Sequence, residues 1–217
     1  MQITINNYEE KEIEQIRQLF KLCSEDEFLL NIVNSARLKV AYSAFIENKL
    51  VGFVFAWRSS FHPNCTYFRI LVNPFYKFLS IGELLLSKVE NLKMEALPLQ
   101  TSAWETSNNL VSMYINYGFK EIRRTFSPTL HVSDLTEYTL NNRDNYHIRT
   151  LEEVVSNEVL MEKLTHLVKR VYEKTHLVNP VANFEVDKWQ EMILADKQVT
   201  VWLLVVVVAI LIFIFLL

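Results

Sequence analysis

The sequence predicts an α/β fold with a mostly antiparallel sheet flanked by helices. The spacing of apolar residues changes repeatedly between the helical and the strand period. Two β-rich runs meet at a short polar turn, as in a β-hairpin. The chain has only three glycines, Gly52, Gly82 and Gly118, which lie after that turn, between a strand and a helix, and at a helix end. The predicted element order is β-α-α-β-β-β-α-β-α-β-β, which is typical of helices packed on an antiparallel sheet rather than of a doubly wound fold.

The first half of this order rests on apolar spacing, a helix cap and a hairpin turn. Asp26 is an expected N-cap of the second helix, and Glu47-Asn48-Lys49 is the expected hairpin turn. The elements are a strand over Gln2–Asn6, helices over Glu9–Leu22 and Asp26–Ser35, and strands over Lys39–Ile46 and Leu50–Trp57.

The second half alternates single strands and helices. The helix from Ser80 is expected to place Leu84, Leu85, Val89 and Leu92 on one face, and Gly118 is expected to end the next helix in the left-handed conformation. The elements are strands over Cys65–Val72, Leu99–Trp104, Lys120–Phe126 and Thr129–Val132, and helices over Ser80–Met94 and Ser107–Tyr117.

Composition and charge exclude several functional classes. The net charge is -3 and no Lys/Arg run exceeds two residues, so we do not expect nucleic acid as a partner. Cys23 and Cys65 fit neither a disulfide framework nor a metal site, and the five histidines are scattered, so we expect no metal. His62 lies in a turn and is expected at the surface. Met1–Glu10 has no signal-peptide pattern, which favours a cytoplasmic protein.

The chain divides into four parts. Residues 1–134 form the domain described above, and the polar stretch 135–145 is a linker. Residues 146–198 repeat the opening β-α-α order as a partial second unit, with a strand over Tyr146–Leu151, a helix through Leu160 to Val171 and another over Phe184–Ala195. Residues 199–217 are an apolar tail.

Three interpretations of the tail remain open. Val201–Leu217 could be a transmembrane helix that anchors the protein, although its length of about 25 Å is short for a hydrocarbon core of about 30 Å. It could be a buried strand pair, but no turn interrupts it. The tail also begins where the hairpin of a second unit would belong, which favours a truncated or frame-shifted chain.

The turn between Val72 and Leu85 is the first candidate binding site. A strand runs into a turn and then a helix, whose first N–H groups lack intrahelical partners and favour a phosphate. Lys77 would add positive charge, and Ser80 and Gly82 would let the backbone approach a ligand closely. The alternative is an ordinary turn in which Ser80 is the N-cap.

This stretch resembles the acetyl-CoA signature of the GNAT acyltransferases, Val-x-Pro-x-x-Arg/Gln-x-x-Gly-x-Gly/Ala-x-x-Leu. Val72, Pro74, Gly82 and Leu85 match, whereas Lys77 replaces the Arg or Gln and Ser80 replaces the first glycine. A second family signature resembles Asn108 and Asn109 followed by the run from Met113 to Phe119. The resemblance covers the first 130 residues in element order.

The resemblance implies an acetyl-CoA-dependent N-acetyltransferase in which an amine attacks the thioester directly. Tyr114 would protonate the departing thiolate, and Glu105 is the candidate base. The alternatives are a packing role for Tyr114 and a solvated carboxylate for Glu105. The implied residues toward acetyl-CoA are Ile70, Leu71, Val72, Lys77, Phe78, Leu79, Ser80, Ile81, Gly82, Glu83, Asn108, Asn109 and Tyr114.

The acceptor is expected to be an amine of a small molecule or a peptide. Two other classes stay open beside the enzyme: a catalytically silent domain that binds CoA or a partner, and a membrane-anchored adaptor defined by its tail.

Overall fold

The computed structural model describes residues 2–90, 97–125 and 149–195. The chain forms two compact units, one of Met1–Ile122 with Val178–Ala182, the other of Arg123–Leu177 with Asn183–Leu217. The boundaries predicted at residues 134 and 146, and the linker between them, lie outside the described residues.

The first unit contains a five-stranded sheet in the order β1-β2-β3-β4-β5. Neighbouring strands are antiparallel except β4 and β5, which are parallel. The mixed, mostly antiparallel fold predicted from the sequence is therefore confirmed. The strands are β1 (Thr4–Asn7), β2 (Leu38–Ile46), β3 (Lys49–Trp57), β4 (Thr66–Val72) and β5 (Leu99–Gln100).

Helices cover both faces of this sheet. One face packs on α3 and α4 through a core that includes Phe68, Ile70 and Leu85. The other packs on α1 and α2 through a core that includes Phe20, Phe53 and Phe55. The helices of this unit are α1 (Ile13–Leu22), preceded by a 3₁₀ turn (Glu10–Glu12), α2 (Leu30–Val33), preceded by a 3₁₀ turn (Glu27–Leu29), α3 (Phe78–Glu90) and α4 (Asn108–Asn116).

Three local predictions are confirmed in atomic detail. Asp26 caps the 3₁₀ turn before α2, since its Oδ1 accepts from the N–H of Phe28 at 2.8 Å. The hairpin between β2 and β3 turns at Glu47 and Asn48, which have φ of 48° and 64°, as a two-residue type I′ turn requires. Gly118 has φ of 81° two residues after the end of α4, next to its C-cap Tyr117.

β5 is shorter than predicted and leaves β4 early. The two strands pair only at Thr66 with Leu99 and Tyr67 with Gln100, whereas a strand to Trp104 was expected. The Thr101 hydroxyl donates to the Phe68 carbonyl at 2.8 Å, so a side chain takes the place of the next ladder bond. Beyond this point β4 has no neighbouring strand on that side within the described part of the chain.

Helix α3 differs from the prediction at its start and on its buried face. It begins at Phe78, two residues before Ser80, so Ser80 lies inside the first turn and is not the N-cap. Leu84 is 43% exposed, and the buried positions include Ile81, Leu86 and Val89 beside Leu85. Leu84 therefore does not share the face of Leu85 and Val89, and Leu92 lies outside the described residues.

The close approach of α3 to β3 depends on Gly52. A Cβ built on Gly52 would lie 2.7 Å from Ile81 Cγ2 and 2.9 Å from Leu85 Cδ1. Real Cβ atoms do not come this near, so a side chain at position 52 would push α3 away from the sheet. Gly52 thus allows the Ile81 and Leu85 side chains of α3 to pack directly on β3.

The segment Val178–Ala182 also belongs to the first unit. The side-chain amide of Asn179 donates to the Tyr67 hydroxyl at 2.9 Å and to Gln100 Oε1 at 2.8 Å. The N–H of Ala182 donates to the Phe61 carbonyl at 2.9 Å. These bonds attach the segment near the point where β4 and β5 pair.

The described part of the second unit is helical. It contains α5 (Leu151–Val155), which Thr150 and Glu153 open with a capping box, α6 (Glu158–Thr175) and α7 (Val186–Ala195). The two long helices were predicted. The strand expected over Tyr146–Leu151 is wrong at its end, because Leu151 begins α5 and residues 149–150 are not a strand; Tyr146 lies outside the described residues.

Two further sequence predictions concern residues 120–134 and the tail. No strand is present over residues 120–125, where one was expected from Lys120, and Thr129–Val132 lies outside the described residues. No helix within the described ranges has the length and apolarity needed to cross a bilayer, and Val201–Leu217 lies outside those ranges.

We expect Gly52→Ala to lower the free energy of unfolding by about 1–3 kcal/mol, because the added methyl group overpacks the contact between β3 and α3. Denaturant unfolding measures the change. Ser87→Ala on the exposed face of α3 is the matched control and should stay within about 0.5 kcal/mol of the parent. A Gly52→Ala protein as stable as the control would contradict this account.

Candidate functional site

The edge of β4 that β5 leaves carries backbone polar groups on alternate residues. Thr66 donates its N–H to the Pro98 carbonyl at 2.9 Å, and the Phe68 carbonyl accepts from Thr101, so the backbone groups of both residues face β5. Strand alternation directs the N–H and C=O of Ile70 and Val72 to the same side. Among the described residues, the Val72 carbonyl accepts a weak bond there from the Cys23 thiol at 3.4 Å.

Leu71 presents its backbone to the opposite side. Its carbonyl lies 3.2 Å from the position of a Cβ on Gly52, which places it against β3. Of the predicted residues Ile70, Leu71 and Val72, only Ile70 and Val72 therefore offer backbone groups to the open edge, alternating as they would toward another strand.

The turn from β4 to α3 is held by Asn73. Its buried side chain accepts from the N–H of Phe75 at 3.1 Å, its carbonyl accepts from the N–H of Tyr76 at 3.0 Å, and its own N–H donates to the Val51 carbonyl at 2.8 Å. This Asx turn aims the chain so that α3 begins directly beyond the open edge of β4.

The first turn of α3 is a candidate anion site. The N–H groups of Phe78, Leu79 and Ser80 have no acceptor within the helix, and the helix dipole favours negative charge there. The side chains of Lys77 and Ser80 are exposed beside them. Ile81 is buried and packs toward the sheet, whereas Glu83 is exposed one turn further on.

Gly82 has a packing role in addition to any role toward a ligand. A Cβ at this position would lie 3.0 Å from the Phe78 ring and 3.1 Å from Met113 Sδ. The missing side chain therefore lets α4 approach α3. Because Met113 immediately precedes Tyr114, this contact also positions the tyrosine.

Tyr114 lies inside the core beside the open edge. It is 6% exposed, and its ring packs edge-on against Phe68 at 5.7 Å between centroids. Its Oη is buried and has no hydrogen-bond partner among the described residues. Burial raises the Tyr114 pKa to about 12; the nearby Thr101 hydroxyl and the Arg69 charge act in the opposite direction, and the Glu25 charge adds to the rise.

Arg69 and Glu25 form a polar cluster that the sequence analysis did not find. Arg69 Nε pairs with Glu25 Oε2 at 3.2 Å, and Arg69 Nη1 donates to the Ser102 carbonyl at 2.7 Å and to Thr101 Oγ1 at 3.3 Å. The guanidinium thus bridges β4, the chain after β5 and the turn after α1. A single arginine within the apolar strand Thr66–Val72 was the available signal.

The remaining predicted residues lie around this cluster or away from it. Asn108 and Asn109 are exposed in the first turn of α4, and Glu105 is exposed in the turn before it. The expectation for His62 was wrong: it is buried, packs edge-on against Phe61, and its Nδ1 lies 3.4 Å from the Pro180 carbonyl.

Both cysteines are free thiols, and burial raises the pKa of each, that of Cys23 to about 11. Within residues 2–90, 97–125 and 149–195, no cluster of His, Cys, Asp or Glu side chains is suited to hold a metal ion.

No family model and no curated protein matches the chain. Solved structures do resemble it. The aminoglycoside acetyltransferase AAC(6')-Iy in complex with a CoA bisubstrate analogue is 14% identical over 60% of this chain and 99% of its own, with a TM-score of 0.47. A GNAT-family acetyltransferase from Streptococcus pneumoniae is 23% identical over 60% and 99%, also at 0.47. A protein described as a transcriptional regulator from Bacillus halodurans is 13% identical over 59% and 100%, at 0.45. Likenesses this low do not assign an activity.

We expect the buried phenol of Tyr114 to reduce stability at high pH. Its pKa is near 10 when unfolded and about 12 when folded, so the folded state retains the proton longer and stability falls between these values. Denaturant unfolding at pH 9 and pH 11 should show a loss about 1 kcal/mol larger for the parent than for Tyr114→Phe. Equal losses would show that Tyr114 titrates normally.

Proposed function

We propose that the chain is an acetyl-CoA-dependent N-acetyltransferase of the GNAT type, which transfers an acetyl group to the amine of a small molecule or a peptide. The observation that carries the proposal is the open edge of β4, which leads directly to the N-terminus of α3 and has the buried Tyr114 beside it.

The open edge suits the pantetheine arm of the cofactor. An extended chain with amide groups can bind to a strand edge through the backbone groups of alternate residues. Ile70 and Val72 provide such groups, and β5 does not cover them because it ends at Gln100. In this proposal the arm lies along β4 with its thioester near Phe68 and Ile70.

The first turn of α3 suits the pyrophosphate. The N–H groups of Phe78, Leu79 and Ser80 would bind its oxygens, and Lys77 would contribute a point charge. Asn108 and Asn109, exposed at the start of α4, would contact the arm from the other side. Gly82 acts indirectly here, because it allows α3 and α4 to come together.

The chemistry follows from the position of Tyr114. The amine nitrogen attacks the acetyl carbon, the N–C bond forms, the C–S bond breaks, and the nitrogen loses one proton to water, from which Tyr114 later recovers its own. A backbone N–H at the open edge would stabilise the charge that develops on the carbonyl oxygen. The Tyr114 phenol, kept protonated by burial, gives its proton to the departing sulfur. The products are the N-acetylated amine and CoA.

A catalytically silent CoA-binding domain is the second candidate. Ser80 in place of the first signature glycine favours it, and so does the exposure of Glu105, which is a poor environment for a general base. Both the enzyme and the silent domain would bind acetyl-CoA at the same site, but only the enzyme would transfer the acetyl group.

We expect isothermal titration of the full-length chain to detect acetyl-CoA binding, with S-acetylpantetheine binding more weakly because it lacks the pyrophosphate. Lys77→Ala should weaken acetyl-CoA binding by about 3- to 10-fold and leave S-acetylpantetheine binding unchanged, since only the first ligand carries phosphate charge. A folded chain that binds neither ligand would rule out both candidates.

Tyr114→Phe should leave acetyl-CoA affinity within about twofold and lower the transfer rate by about 100-fold, because it removes only the proton donor. Release of the CoA thiol measures the rate. An unchanged rate would remove Tyr114 from the mechanism, and a parent chain that binds acetyl-CoA but transfers nothing to any amine would favour the silent domain.

A further inference from the structure

The cluster of Arg69 and Glu25 lies on the face of β4 opposite Tyr114. Phe68 and Ile70 pack with Tyr114 in the α3–α4 core, whereas Tyr67 and Leu71 pack with α1 and α2. Arg69 lies between Tyr67 and Leu71 at strand spacing, so its side chain is on the same face as theirs. There it pairs with Glu25, which follows α1. A group at the open edge of β4 can therefore be approached from the Glu25 side while it faces Tyr114 on the other.

The polar atoms at this place mostly accept hydrogen bonds. The Arg69 guanidinium donates to the Ser102 carbonyl and the Thr101 hydroxyl, and it pairs with the Glu25 carboxylate. It thereby balances the charge of Glu25 and holds these three groups in place. The Glu25 carboxylate retains acceptor capacity, because Arg69 meets only Oε2 and Oε1 accepts one long bond from the Asp26 N–H at 3.4 Å. A ligand that carries several N–H donors fits such a site better than an anion does.

Two exposed aromatic side chains stand close in sequence to the two ends of the cluster. Phe28, three residues after Glu25, is 63% exposed, and Trp104, two residues after Ser102, is 70% exposed. Aromatic rings attract cations and offer apolar contact area to a ligand. Rings so near Glu25 and Ser102 in sequence would suit a ligand that has an apolar body beside its charged group.

We propose that Glu25 binds the acceptor as an ammonium ion and takes its proton, and that Phe28 and Trp104 contact an apolar or aromatic body of that acceptor. The acceptor class is therefore an arylalkyl or alkyl primary amine. Arg69 is a positioning residue that orients the carboxylate. Glu105, exposed in its turn, does not take this role. The inference rests on the proposed acetyl transfer for its chemistry.

The proton balance is complete without a further reactant. Glu25 takes one proton from the ammonium, the free amine attacks the acetyl carbon, and a second proton leaves the nitrogen to solvent as the amide forms. Tyr114 protonates the sulfur and recovers its proton from water, and Glu25 releases its own. The net reaction converts acetyl-CoA and the ammonium ion into the acetamide, CoA and one proton.

Binding without turnover tests Glu25 directly. Phenethylamine and its uncharged isostere 2-phenylethanol are titrated into the full-length chain in the presence of CoA. The parent should bind the amine at least about 10-fold more tightly than the alcohol, and Glu25→Gln should remove this preference. Glu25→Asp, which keeps the charge, should restore part of it. An equal preference in the parent and in Glu25→Gln, or no preference in the parent, overturns the proposal.

Ethylamine isolates the aromatic contribution. Trp104→Ala and Phe28→Ala should weaken phenethylamine binding by about 5- to 10-fold each and change ethylamine binding by less than about twofold. Equal losses for both amines overturn the assignment of the apolar body. A melting curve for each variant shows whether the variant is folded. If Glu25→Gln is unstable, the site is still tested by Glu25→Asp and by the two aromatic substitutions.

The transfer assay separates this inference from the proposed function. If the parent binds and transfers from acetyl-CoA, Glu25→Gln should lower kcat/KM for phenethylamine by about 100-fold with acetyl-CoA affinity unchanged. An unaltered kcat/KM overturns the role of Glu25 and leaves the acetyltransferase standing. Absence of acetyl-CoA binding overturns the transferase, whereas the preference for the amine over the alcohol still decides whether Glu25 is an ammonium site.

Discussion

The first unit is organised around the early separation of β5 from β4. Two residue pairs join these strands, and then the Thr101 side chain bonds to Phe68 and the chain moves away. Within the residues that the structure describes, the edge of β4 is therefore left open over Ile70 and Val72. Backbone N–H and C=O groups left without partners away from water cost about 1–3 kcal/mol each, so such an edge favours water or a ligand that can pair with it.

Several tight contacts hold the neighbours of this edge in place. Gly52 allows α3 to pack closely on β3, and Gly82 allows α4 to pack closely on α3. Asn73 fixes the turn between the edge and α3. On the other face, Arg69 ties the turn after α1 to the chain after β5. The open edge is thus flanked by packed, hydrogen-bonded elements on both faces.

Features that depend on short stretches of sequence could be predicted, and features that depend on distant contacts could not. Three local features could be predicted because each depends on neighbouring residues alone. They are the cap at Asp26, the turn at Glu47 and Asn48, and the helix end at Gly118. The predicted length of β5 was wrong because the Thr101 hydroxyl, not a backbone N–H, donates to the Phe68 carbonyl. Strand propensity does not reveal such a side-chain bond. His62 was misplaced because Pro180, more than one hundred residues away, contacts it.

The candidate site shows the same division. The part proposed for the cofactor is built from a strand, a turn and a helix that are continuous in sequence, and the chain's scarce glycines pointed to it. Gly82 was assigned to ligand approach, but its closest neighbours are Phe78 and Met113, which only the folded chain brings together. The ion pair of Glu25 was not predicted because its partner, Arg69, lies forty-four positions further along and on a different element.

The Cys23 thiol has a consequence for a protein that would hold a reactive thioester. It bonds to the carbonyl of Val72, at the end of the very strand along which the acyl carrier would lie. Thiolates, not thiols, attack acyl groups, and burial keeps this sulfur protonated by raising its pKa to about 11. In the complex proposed above, a thiol held in this protonated form would not compete with the acceptor amine for the acetyl group.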